Sequence, residues 1–106
     1  AEEPVRLLSV REYRAAVISA ITQLESLLRA VLEKDERLLG RAYSIGRLAD
    51  LAARREFLTS AEHQRIQDWM RVRNMVVHSQ GTVSRARATE IVQGILAIGR
   101  RLRPGA

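Results

Sequence analysis

Apolar residues recur at three- and four-residue spacing from Tyr13 to Leu32. Tyr13, Val17, Ala20, Ile21, Leu24, Leu28, Val31 and Leu32 fall on one side of a helix, and a stripe that wide must be buried against other elements. No region shows the strict alternation of a half-buried strand, and Phe, Tyr and Trp together make up only 4% of the chain. An all-α fold is therefore expected. With 106 residues, and no repeat or low-complexity segment, the chain reads as one domain, 1–106, able to bury a core without staples. It has no cysteine, which removes disulfide frameworks and thiolate zinc sites.

The first helix is expected from about Val10 to Lys34, with Ser9 and Glu12 forming a capping box. Residues 1–8 before it are expected to be flexible. A charged connection, Asp35 to Tyr43, contains Gly40. The second helix runs from about Ile45 to Phe57 with Ser44 as its cap. Its apolar positions are Ile45, Leu48, Ala49, Leu51 and Ala52. The third begins after Thr59, which pairs with Glu62 in a second capping box, and runs to about His78, where Gly81 stops it. The fourth follows Ser84 and runs to about Leu102. The short connection from Ser79 to Val83 implies antiparallel neighbours. These signals predict an antiparallel up-and-down four-helix bundle. The apolar coverage of the last helix (Ile91, Val92, Ile95, Leu96, Ile98 and Leu102) is broad, which suggests a partner, most simply a second copy.

No uninterrupted apolar stretch approaches the length of a membrane span. The first residues, Ala1-Glu2-Glu3-Pro4, lack the apolar core of a signal peptide. A cytoplasmic location with no membrane partner is expected. A chain that starts with Ala and ends in Arg103-Pro104-Gly105-Ala106 fits a processed protein or a domain cut from a longer one. The formal net charge is +6, and the excess lies wholly in the second half of the chain. Of the 18 basic residues only Lys34 is a lysine. Arginine presents a planar fork suited to phosphate, so a polyanion is a natural partner.

The candidate chemistry is in Arg73-Asn74-Met75-Val76-Val77-His78. On a helical wheel Ile66, Trp69, Met70, Val76 and Val77 cluster on one side, with Arg73 in their midst. An unpartnered guanidinium there is costly. Arg73 therefore needs either a carboxylate or amide, for which Glu25 is one candidate, or a cleft that holds an anion. Asn74 and His78, four apart, share a neighbouring stripe. Arg73 and His78 lie roughly 140° apart on a regular helix. They converge on one atom only if the helix loosens or if a two-fold axis repeats the pair from each protomer; the second route is favoured. Arg85 and Arg87, at the start of the last helix, oppose its dipole and are candidate phosphate contacts. Trp69 reads as core or dimer interface, and His63 as a surface residue without enough neighbours for a metal site. Arg100, Arg101 and Arg103 sit where a helix end favours cations and need no functional account.

The arginine, polar residue and histidine at this spacing resemble the motif of the HEPN superfamily. The likeness covers roughly Ser44 to Leu102 and, more loosely, the first helix. It extends to the short second helix (Ser44-Ile45-Gly46-Arg47-Leu48) and to the polar start of the third (Thr59 to Glu62). The resemblance implies a helical bundle that dimerises with the motif pairs facing a shared cleft. It implies metal-independent RNA cleavage with no cofactor, in a defence, toxin or stress setting, with an antitoxin or a flanking domain as further partners. His78 would act as general base or acid on the ribose 2′-hydroxyl or the leaving 5′-oxygen. Arg73 would hold the scissile phosphate, and Asn74 would orient either one. Gln80 stands where toxins paired with an antitoxin nucleotidyltransferase carry a tyrosine, so neutralisation by tyrosine modification is ruled out. A non-catalytic dimerisation or binding module of a larger protein is the alternative, with the motif buried or mutually satisfied. A helical adaptor unrelated to nucleic acid is a third.

Overall fold

The computed structural model describes residues 2–33, 43–78 and 81–102. Five α-helices, rather than four, make up the fold: α1 (Glu2–Ser9), α2 (Tyr13–Leu32), α3 (Ile45–Arg54), α4 (Ser60–His78) and α5 (Arg85–Leu102). No strand occurs among the described residues. The expected connection falls, except for Tyr43, outside the described residues, as do Lys34, Ser79 and Gln80.

The unexpected helix is α1. Eight residues are too few to hold a helix in isolation, and most helical stability comes from packing. Here Pro4 is fully buried, Leu7 and Leu8 pack on the core, and α1 lies against both α2 and α5. The chain then reverses at Arg11, whose φ of 64° is left-handed. The amides of Arg11 and Glu12 donate back to the carbonyls of Leu8 and Leu7 at 3.1 and 2.9 Å. The capping box expected between Ser9 and Glu12 does not form. Ser9 still belongs to α1, and its hydroxyl donates to the Arg6 carbonyl at 2.6 Å. Glu12 precedes α2 without a side-chain cap.

The other caps follow the sequence. Ser44 Oγ accepts from the Arg47 amide at 3.3 Å, and Ser84 Oγ accepts from the Arg87 amide at 3.0 Å. Thr59 and Glu62 form their reciprocal box, with bonds of 2.9 and 3.1 Å. Helix α3 ends at Arg54, short of the expected Phe57, because Glu56 adopts a φ of 63° and turns the chain.

Helix α2 touches every other helix. Its residues Val17, Leu24 and Leu28 are fully buried, and each contributes about 1.5–3 kcal/mol relative to exposure. By length and composition this helix could cross a membrane, more than expected from the sequence, but its apolar face is occupied by the core. Trp69 of α4 reaches α5 at Gly94. A Cβ there would stand 2.5 Å from the indole ring, so only glycine admits the tryptophan. The Arg65 guanidinium lies 5.0 Å from the centroid of the same ring. The broad apolar face of α5 is absorbed within the chain: Ile91, Val92, Ile95 and Ile98 are buried, covered by α1 and α2. It therefore gives no argument for a second copy.

Candidate functional site at the end of α4

The stripe centred on Arg73 divides along α4. Ile66, Trp69 and Val76 are buried, while Met70 and Arg73 are half-buried. Val77, expected in the apolar cluster, is instead 48% exposed, and Met75 is 41% exposed. Both lie in the last turn of α4. Asn74 and His78 are exposed. The motif thus combines a guanidinium on the core side with an amide, an imidazole and two apolar side chains open to solvent.

Arg73 is the anomaly. Its Nε is buried and has no hydrogen-bond acceptor among the described residues. Glu25, the candidate partner, pairs with Arg29 one turn along its own helix at 2.9 Å. An N–H removed from water without an acceptor costs about 1–3 kcal/mol.

The same helix end contains a residue that the motif did not reveal. Arg14, in the first turn of α2, donates from Nη2 to the carbonyl of Val76. A cation in the first turn of a helix opposes the dipole, the criterion that singled out Arg85 and Arg87, but Arg14 meets it only with the observed helix start at Tyr13; with the start expected at Val10 it lies beyond the first turn. Of those two, Arg87 is engaged locally with Glu90 at 2.6 Å. Arg85 is exposed and unpaired among the described residues. No hydrogen bond or ion pair links either to Arg73, Asn74 or His78 among those residues.

The opposite end of α4 is fully tied. Burial of Glu62 works against its charge, but hydrogen bonds from Arg101 and the Thr59 backbone outweigh it and hold the carboxyl below its ordinary range. Arg101, which needed no account from sequence, bonds Glu62 through Nε at 3.1 Å and through Nη2, and also reaches the Phe57 carbonyl at 3.1 Å. His63 is not a free surface residue. Its Nε2 sits 2.7 Å from Asp50 Oδ1 of α3, with Gln67 beside both. A groove of about 290 Å³ between α2 and α5, floored by Leu24, Leu27, Ile95 and Leu96, contains no residue of the motif.

No protein-family model, curated protein or solved structure matches the chain.

Proposed function

We propose that this chain is a HEPN-like RNA-binding domain that cleaves RNA without a metal, through Arg73, Asn74 and His78 repeated across a homodimer cleft. The observation that carries the reading is the buried Arg73 Nε, which has no acceptor among the described residues. A buried N–H left without an acceptor among the described residues gains the fold nothing in stability, and an oxyanion would supply that acceptor. Two contacts support the antiparallel bundle that the reading requires. Glu62 meets Arg101, and Trp69 meets Gly94, so α4 and α5 run in opposite directions.

In the reaction, the ribose 2′-oxygen attacks phosphorus and the bond to the 5′-oxygen breaks. One His78 takes the 2′-hydroxyl proton, and the partner's His78 gives a proton to the departing 5′-oxygen. Arg73 holds the non-bridging oxygens as their charge grows. Asn74 orients the histidine or the phosphate. The products are a 2′,3′-cyclic phosphate and a 5′-hydroxyl, and DNA, lacking the nucleophile, is not cut. The wide angle between Arg73 and His78 on one helix makes the two-fold arrangement the economical one.

A second reading rests on Val77 and Met75. Apolar groups exposed beside the motif suit an interface, and a non-catalytic dimerisation or binding module would use them alone. The deciding assay incubates wild type and His78→Ala with a mixed single-stranded and structured RNA pool in EDTA. Cleavage by wild type only, leaving cyclic phosphate ends, is expected. Equal inactivity of both, with the dimer intact by light scattering, would move the assignment to the binding module.

A further inference from the structure

Arg14 stands where the positive end of its own helix disfavours a cation. Its guanidinium crosses to α4 instead, and Nη2 donates to the carbonyl of Val76. That carbonyl is among the last four of α4, which have no partner within the helix, and the negative end of the dipole favours a cation there. Tying off the carbonyl takes one N–H. The other N–H groups of Arg14 have no acceptor among the described residues, and no carboxylate pairs with Arg14 or Arg73 there. Arg14 thus reaches the last turn of α4, where Asn74 and His78 are exposed, and Arg73 lies one helical turn before Val76; neither guanidinium has a counter-charge among the described residues. A helix clamp alone would not require the guanidinium fork. The fork is suited to grasping phosphate oxygens in pairs.

We propose that Arg14 is a second phosphate-binding residue of this site, holding the last turn of α4 with one N–H and a phosphate of the bound RNA strand with the others. The inference rests on the ribonuclease reading.

The test uses a single-stranded 2′-O-methyl RNA oligonucleotide, which binds without being cut. Its affinity for wild type and Arg14→Gln is measured by fluorescence anisotropy over a range of salt concentrations, with a melting curve for each protein. Loss of one phosphate contact flattens the slope of log affinity against log salt by about 0.7, and low-salt affinity falls several-fold. A residue that only clamps the helix would lower the melting temperature and leave the slope unchanged. A second readout needs only the wild type. The guanidinium NMR signals of Arg14, assigned with Arg14→Lys, should move as the oligonucleotide is added, and this result decides if Arg14→Gln does not fold. In a wild type that binds, an unchanged slope in folded Arg14→Gln, or unmoved Arg14 signals, overturns the Arg14 assignment alone. A wild type that does not bind overturns the ribonuclease reading and the Arg14 role with it.

Discussion

The two ends of α4 are built on opposite principles. At the first end each charged group has a partner. Thr59 and Glu62 cap each other, Arg101 grips Glu62 with two nitrogens, and His63 meets Asp50. At the other end Arg73 has a buried nitrogen with no acceptor among the described residues, and Asn74 and His78 face solvent beside exposed Val77. Beyond the burial of Val76, a side-chain hydrogen bond from Arg14 ties that end to α2. The same helix thus contains a region shaped for stability and one whose donors await an acceptor. Unsatisfied polar groups persist where something other than folding selects them.

This contrast can be broken from either side. The largest effect is expected for His78→Ala, which should reduce cleavage by about 100- to 10,000-fold. Its melting temperature should match wild type, since the ring is exposed and makes no hydrogen bond among the described residues. A large fall in melting temperature would mean that this end, too, is structural. At the other end, Glu62→Gln should lower stability by about 1 kcal/mol through the weakened capping box and lost ion pair, with RNA cleavage unaltered at temperatures where the protein is folded. Loss of cleavage in that folded variant would erase the proposed division of labour.

The fold was legible where it depended on patterns of side chains. The stripe from Val17 to Leu32 marked the central helix, and Ser44, Thr59 and Ser84 marked three starts. It was not legible where the chain turns without glycine. Arg11 and Glu56 adopt left-handed backbone conformations that cost a residue with a Cβ about 1–2 kcal/mol. No residue type announces them, and so α1 and the true end of α3 were missed. The site divides in the same way. Arg73 was expected on the apolar face and lies half-buried there, because that follows from spacing. Its lack of a partner among the described residues depends in part on where Glu25 points, and Glu25 turns to Arg29. Arg14 is 62 positions from Val76, a contact that only tertiary structure creates.

Two smaller effects sharpen the comparison. Asp50→Asn should weaken the contact between α3 and α4 by about 0.5–1 kcal/mol, read as a small drop in the denaturant midpoint with an unchanged slope and unchanged cleavage. Acid should weaken the tied end. The Glu62 pKa is lowered in the folded state, so its stabilisation is present above the unfolded value of about 4.3. It is lost as pH falls through the lower folded value. Wild type should therefore lose stability over that window more steeply than Glu62→Gln. Parallel acid profiles would show that Glu62 contributes little as a charge.

The most direct test of the functional end is the melting temperature of Arg73→Met, recorded beside its RNA cleavage. Methionine fills the half-buried position without the buried Nε donor, and removing a buried donor that has no acceptor among the described residues is expected to be neutral or stabilising. The expected result is a melting temperature equal to or above wild type with cleavage abolished. A protein destabilised by about 3–5 kcal/mol, the usual consequence of breaking a buried pair, would show that Arg73 is held for folding and would contradict the account.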